Sequence, residues 1–300
     1  KTSVAVIDAD GNIVCDHRQL LRVKQGERGL RQSDALFQHV MNLPELIKTC
    51  FSEIDPVRIK AVACSDKPRP VEGSYMPVFM AGYGFAKTLA NALNLPLFEV
   101  SHQEGHVEAV KYYSKFNDKD RVATFHFSGG TTEALLVDYK DKSFEIVGGS
   151  KDLAYGQVLD RIGVALGLQF PCGQELDEIA IFGKVGQKNL SKIKVNDCFV
   201  NLSGIETQAQ RLIGNVLVDE LVTELFEKIS QSVLDMTKQI SQKYGIKEFI
   251  FAGGVSCSSY MRNFLRNNLP SDIDFAFGDP KLSQDNAVGV ALLGGKNIWH

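Results

Sequence analysis

The sequence predicts an α/β protein of two lobes with mixed sheets facing a cleft, and three observations carry that prediction. Strand hairpins come first and strand–helix units follow, and this order runs twice along the chain. The 300 residues, 44% of them hydrophobic, suffice for a large core of the kind usually divided between two lobes. A charged interruption, NDKDR at 117–121, marks the expected boundary, giving a first lobe of 1–118 plus about 285–300 and a second of 119–284.

Each element has its own signal. The run SVAVID, the turn DADGN and the return IVCDHRQLLRVK read as an opening hairpin. Asp8, Asp10 and Asn12 imitate the start of a calcium loop, but no glutamate follows at the spacing that loop requires. A helical pattern covers 32–52, and RIKAVACS makes a buried strand. The stretch MPVFMAGYGFAKTLANALN is an amphipathic helix ending at Asn94 before Pro96, and PLFEV is a short strand. The chain then enters SHQEGH, residues 101–106, which HVEAVKYYSKF continues as a helix. His102 and His106 therefore stand one turn apart on one helix face, at its N-terminal end.

Past the boundary, VATFHF, EALLVDY and FEIVGG read as strands, with the turn SGGTT between the first two. Residues 155–183 read as helical with a break at Pro171–Gly173, and GQKNLSKIKVND as a polar surface segment. A long helix fits 216–244. Strand EFIFAGG, helix SSYMRNFLRNN, strand IDFAF and a last helix from about Asp285 follow.

Composition narrows the function classes. No apolar run approaches the roughly 18 residues that span a bilayer, and the first residues do not resemble a signal peptide. Six scattered cysteines without a Cys-x-x-Cys pair argue for reduced, cytoplasmic thiols rather than a disulfide frame or a zinc knuckle. A formal charge of −3 offers no basic excess for unaided nucleic-acid binding, so an RNA substrate would need a partner or a local patch.

Four segments stand out chemically. In FHFSGGTTEALLV the glycines lie between two strands, where backbone N–H groups with Ser128, Thr131 and Thr132 make either an anion nest or a plain hairpin turn. Gly253 and Gly254 sit at a strand-to-helix junction, which suits a flat ring against the backbone or simply tight packing. Asp160 is a lone acid on an apolar helix face, a partner for a ribose diol or for a salt bridge. Asp285 and Asn286 stand where the last helix begins, as an N-cap or as a third ligand completing a His-His-Asp metal set.

A metalloprotease would need His-Glu-x-x-His, with the glutamate next to the first histidine. Here Glu104 is two residues along, roughly 200° around the helix from His102, so that mechanism is disfavoured.

Taken in order, these segments resemble the catalytic subunit family of tRNA N6-threonylcarbamoyladenosine synthase, formerly called O-sialoglycoprotein endopeptidases. SHQEGH is similar to its His-x-Glu-Gly-His motif and FSGGTT to its Ser-Gly-Gly-His/Asn-Thr turn. DLAYGQVLDRIGVALGLQFPCG, NLSGIETQ, AGGVSCSSYMR and QDNAVGVA follow the family's later motifs, so the likeness covers nearly the whole chain.

The resemblance implies the actin/Hsp70/sugar-kinase (ASKHA) fold around a nucleotide cleft. It implies that His102, His106 and Asp285 hold one divalent metal, Fe2+ or Zn2+, with His126 as a candidate fourth ligand. Ser128, Gly129, Gly130 and Thr131 would cradle the phosphate and acyl part of an acyl-adenylate. Asp160 and Gly173 would hold its ribose, and Gly253, Gly254 and Ser258 its adenine side. The implied reaction is metal-assisted transfer of a threonylcarbamoyl group to an adenine of tRNA, without a protein nucleophile. The implied partners are tRNA held through other proteins and further subunits of a threonylcarbamoylation complex, with no membrane.

The chain departs from the family pattern at Thr131, Leu153, Gln157 and Ser258, as expected of a diverged paralogue. Two other readings follow from those departures: a carbamoyltransferase using carbamoyl-adenylate on a small molecule, and a non-catalytic ASKHA scaffold subunit. The retained His102, His106 and Asp285 speak against the scaffold, which has no use for a charged site.

Overall fold

A computed structural model of the chain describes residues 1–23, 30–141, 143–184, 186–283 and 287–299. In chain order it begins β1 (Thr2–Ile7), β2 (Ile13–Gln19), α1 (Gln32–Glu53), β3 (Val62–Lys67), α2 (Phe79–Leu93), β4 (Leu97–Ser101) and α3 (His102–Tyr112). Then come β5 (Arg121–Phe127), β6 (Thr132–Asp138), β7 (Ser143–Ser150), α4 (Tyr155–Ala165), α5 (Gly173–Phe182), β8 (Phe199–Val200), α6 (Ser203–Leu212) and α7 (Val218–Tyr244). The chain closes with β9 (Glu248–Ala252), α8 (Ser259–Asn268), β10 (Asp274–Phe277), α9 (Pro280–Ser283) and α10 (Val288–Trp299). The described residues fall into two compact units: one within Lys1–Val23, Gly29–Tyr113 and Lys281–His300, the other within Ser114–Pro280.

In the first unit β1 and β2 form an antiparallel hairpin, with Val4 opposite His17 and Val6 opposite Cys15. Its turn is tied by Asp8, whose carboxylate accepts the N–H groups of Asp10 and Asn12 at 3.0 and 2.8 Å. The calcium imitation is thus a hairpin turn. β3 and β4 form a separate parallel pair. Asn94 ends α2 in the left-handed conformation, φ 52°, which asparagine tolerates. Among the described residues β1 and β3 each pair with one neighbour only, and both line a cavity of about 740 Å³.

Glycine explains the packing of α3. A methyl group on Gly105 would stand 2.8 Å from the Val290 side chain, and one on Gly289 would strike the carbonyl of Gly105. The two helices therefore touch backbone to backbone.

One cysteine expectation fails in this unit. Cys15 on β2 and Cys50 on α1 are joined as a disulfide, with Cα atoms 6.4 Å apart at a sequence separation of 35. Spacing along the chain concealed the pair because only the packing of α1 on β2 brings the two sulfurs together. Cys64, Cys172, Cys198 and Cys257 take part in no disulfide among the described residues.

The second unit is built on a six-stranded sheet in the order β10-β9-β5-β6-β7-β8. β5 runs parallel to β9 and antiparallel to β6, so the sheet is mixed. Phe125 and Phe127 point to one face, where Phe125 stacks on Phe251 with ring centroids 5.2 Å apart. α7 buries Leu221, Leu225, Phe226, Ile229, Val233, Met236 and Ile240 in one helical stripe against this core. Three elements are absent from the sequence-based expectation: the two-residue β8, the helix α6 and the four-residue α9.

Candidate functional site

The histidine pair sits on the first turns of α3. Ser101 caps that helix: its hydroxyl accepts the Glu104 N–H at 3.1 Å, and the Glu104 carboxylate accepts the Ser101 N–H at 2.7 Å. This reciprocal capping box fixes the helix start and commits Glu104 to the backbone. Glu104 is therefore a capping residue, in keeping with the disfavoured protease mechanism.

The Nε2 atoms of His102 and His106 lie 3.1 Å apart, with their rings edge to face at 4.5 Å between centroids. His106 is buried and the Phe79 ring stands 5.6 Å from that of His102. A divalent ion bound about 2.1 Å from each of two imidazoles needs nitrogens roughly 3.0–3.4 Å apart, from octahedral to tetrahedral angles. The observed spacing fits such an ion. Asp285, the expected third ligand, lies outside the described residues, as does Asn286. His126 is buried in β5 of the second unit, on the strand face opposite Phe125 and Phe127.

In the second unit, the Ser-Gly-Gly-Thr stretch closes a tight hairpin through the Ser128 N–H, which donates to the Thr131 carbonyl at 2.8 Å. The Ser128 hydroxyl accepts the N–H groups of Gly130 and Thr131 at 3.3 and 3.0 Å. These are the donors an anion nest would use, so the side chain holds the place of an acceptor in the turn.

Two glycines outside the turn let other elements reach it. Gly253 has φ 89°, and a methyl group there would collide with the Phe127 carbonyl. A methyl group on Gly156 would stand 2.5 Å from the Ser128 carbonyl, so the start of α4 abuts the turn. The second contact was not anticipated, although glycine in the first turn of an apolar helix was visible in sequence. The fold thus gathers Ser128, Gly129, Gly156 and Gly253 with the N-terminus of α4, an arrangement suited to an anion.

Asp160 and Gly173 also come together. The Asp160 carboxylate accepts the Cys172 N–H at 2.9 Å, one residue before Gly173 opens α5. Burial pushes the Asp160 carboxyl above its ordinary range, against the opposing pull of that hydrogen bond. Burial likewise pushes the Cys172 thiol up to about 11, assisted by the charges of Asp160 and Glu175.

Ser258 caps α8. Its hydroxyl donates to Asp177 at 2.5 Å and accepts the Met261 N–H at 3.1 Å. Asp177 also accepts the N–H groups of Ser259 and Tyr260 at 2.7 and 3.1 Å. Sequence reasoning missed Asp177, because nothing local in α5 announces that its carboxylate caps a helix some 80 residues later. It also missed Asp152, which accepts the N–H groups of Leu202 and Ser203 at 2.7 and 3.0 Å and so starts α6.

A second group of ligand type lies in the first unit. One ligand atom each from Cys15, His17 and Cys50 falls within 4.8 Å of the others, a set able to coordinate a single divalent metal once the Cys15–Cys50 bond is opened.

The family model described as TsaD, tRNA N6-adenosine threonylcarbamoyltransferase, matches residues 21–292. A Streptococcus thermophilus tRNA N6-adenosine threonylcarbamoyltransferase is 30% identical over 311 residues, covering 97% of this chain and 87% of that protein. Its counterpart from Syntrophomonas wolfei is 28% identical over 265 residues, covering 85% of this chain and 76% of the relative. Among solved structures, T. kodakarensis HypF superposes with a TM-score of 0.62 over 87% of this chain at 14% identity. This chain spans only 44% of HypF, and the likeness shows the two-lobed α/β fold of the ASKHA type alone. The match over residues 21–292 settles the family: the chain belongs to the tRNA N6-adenosine threonylcarbamoyltransferases.

Proposed function

We propose that this chain transfers a threonylcarbamoyl group from threonylcarbamoyl-adenylate to N6 of an adenine in tRNA. The observation that carries the reading is the His102–His106 pair, its Nε2 atoms 3.1 Å apart on a capped helix. These two residues, with Asp285, would hold one Fe2+ or Zn2+ ion, which when bound supplies Lewis-acid polarisation of a carbonyl. In this reading the first lobe carries the metal residues and the second carries the donor. His126 is the candidate fourth ligand.

The Ser128–Thr131 turn and the N-terminus of α4 would take the donor's phosphate once the Ser128 hydroxyl turns out of the turn. Asp160 and Gly173 would hold the ribose, and Gly253, Gly254 and Ser258 the adenine side. Attack by the tRNA amine on the carbamoyl carbon forms a C–N bond and breaks the bond between that carbon and the phosphate oxygen. AMP leaves, and the amine's proton passes to the departing phosphate or to water. What the protein supplies is orientation of donor and acceptor.

The formal charge of −3 favours tRNA delivery by partner proteins of a hetero-oligomeric complex. The cytoplasm is the compartment this reading requires, and among the described residues no helix is long and apolar enough to cross a membrane.

The test is a transfer assay with synthetic threonylcarbamoyl-adenylate, tRNA and the partner proteins, following AMP release and modified adenosine. His102→Ala and His106→Ala should each lower turnover at least about 100-fold. Unchanged turnover in both variants overturns the reading. Replacing the donor by carbamoyl-adenylate tests the alternative acyl group that the departures at Thr131, Gln157 and Ser258 favour.

A further inference from the structure

β2 and α1 place four chemistry-bearing side chains together, far in sequence from SHQEGH. Cys15 and His17 are two apart on a strand, hence on one face, and both cross-strand partners lie on β1. Cys50 and Glu53 are three apart on a helix, hence neighbours on its surface. The two elements face each other, since Cys15 and Cys50 meet and the His17 Nε2 lies 2.8 Å from a Glu53 carboxylate oxygen.

We infer that, when the Cys15–Cys50 bond is reduced, Cys15, Cys50 and His17 bind one Zn2+ ion, with Glu53 orienting His17. Two thiolates and an imidazole are the donor set that selects zinc over magnesium or calcium. One ligand atom of each residue lies within 4.8 Å of the others, and reduction frees the two sulfurs to move apart around an ion. A disulfide has no need of a histidine beside it; a metal does.

Glu53 supplies what a ligating histidine usually has, a carboxylate on its other nitrogen. With Nε2–H turned toward that carboxylate to donate a hydrogen bond, the lone pair of Nδ1 is left for the metal. The cysteines are buried, while the His17 and Glu53 side chains are 27% and 45% exposed. A hydrated ion therefore has a way in, and water can fill the fourth position. In either oxidation state the hairpin stays fastened to α1, by a covalent bond or by the metal.

The interconversion balances simply. A phosphine and one water take the disulfide to two thiols, and the phosphorus leaves as its oxide. In reverse, one small-molecule disulfide oxidises the two thiolates to the Cys15–Cys50 bond and departs as two thiolates, releasing the zinc.

The experiment uses the full chain carrying His102→Ala and His106→Ala, phosphine-reduced and titrated with Co2+ and then Zn2+. One Co2+ per chain should give a thiolate-to-cobalt charge-transfer band and the strong visible bands of a tetrahedral site, both erased by one equivalent of Zn2+. Cys50→Ser should weaken zinc binding at least about 100-fold, and Glu53→Gln, at an exposed position, about tenfold. Oxidised glutathione should release one zinc per chain to a chromophoric chelator. Absence of the charge-transfer band in reduced chain overturns the proposal, as does wild-type zinc affinity in Cys50→Ser. If Cys50→Ser does not fold, unchanged affinity in both Glu53→Gln and His17→Ala overturns it equally.

Discussion

The two units use their strands in opposite ways. In the second, β5 lies inside a continuous sheet, and six of its seven residues are buried. In the first, among the described residues, four strands form two separate pairs whose residues are mostly half-buried, and β1 and β3 face a cavity of about 740 Å³. The second unit is held by one apolar core that reaches from Ala123 to Ile273. The first relies more on local fastenings: the Asp8 turn, the Cys15–Cys50 bond and the glycine contact of α3 with α10. A close-packed unit punishes added volume, and a loosely packed one absorbs it. Each prediction below tests that difference.

The largest effect belongs to Gly253. An alanine there takes a backbone at φ 89° and drives its methyl group into the Phe127 carbonyl on β5. Strain and overpacking together should cost about 3 kcal/mol or more, read from the urea midpoint. A loss below about 1 kcal/mol would mean that the second unit yields as readily as the first.

Hydrogen exchange compares the units without mutation. Amides of β5, β6 and β9 should exchange at least about 100-fold more slowly than those of β1 to β4, because the former open only with the whole core. Equal protection would break the comparison.

How much of this was legible in sequence depended on how local each cause was. α1, α2, α7 and the strands of the second unit other than β8 announced themselves by period, caps and glycine or proline stops. The motif order pointed to the family, which the match over 21–292 establishes. What sequence did not show were side chains whose partners lie far along the chain. Cys15 with Cys50, Asp177 with the start of α8 and Asp152 with the start of α6 are all of this kind. The four-residue grouping of Cys15, His17, Cys50 and Glu53 escaped notice for the same reason: each half obeys a simple period, but only the fold sets them face to face. β8 and α6 went unseen because two residues carry no period and α6 begins without a side-chain cap of its own.

Asp152 gives a pH-dependent effect of intermediate size. Burial would raise its carboxyl, but the Leu202 N–H, the Ser203 hydroxyl and further N–H groups outweigh this and bring it from 3.8 down to about 2. Its folded value lies below its unfolded one, so it stabilises above about pH 4 and loses that contribution as pH falls through about 2. A shift of that size converts to at most about 2.5 kcal/mol, and because the residue is largely exposed, solvent screening leaves about 1 kcal/mol. Asp152→Ala should therefore destabilise the chain by about 1 kcal/mol at pH 7, with the deficit shrinking toward pH 2. A deficit independent of pH would assign the loss to packing.

The smallest effect has the opposite sign and falls in the first unit. Gly82 lies in α2 and lines the cavity, its φ is not in the left-handed region, and a methyl group built there meets nothing within 4 Å. Alanine restricts the unfolded chain and suits a helix better than glycine, while the cavity gives the methyl room. Gly82→Ala should thus stabilise by about 0.5–1 kcal/mol, seen as a small rise in the urea midpoint. The same chemical change, glycine to alanine, then moves stability down in the second unit and up in the first. If Gly82→Ala destabilises instead, the space beside α2 is already committed to something that a methyl group displaces, and the looseness assigned to the first unit is wrong at that position.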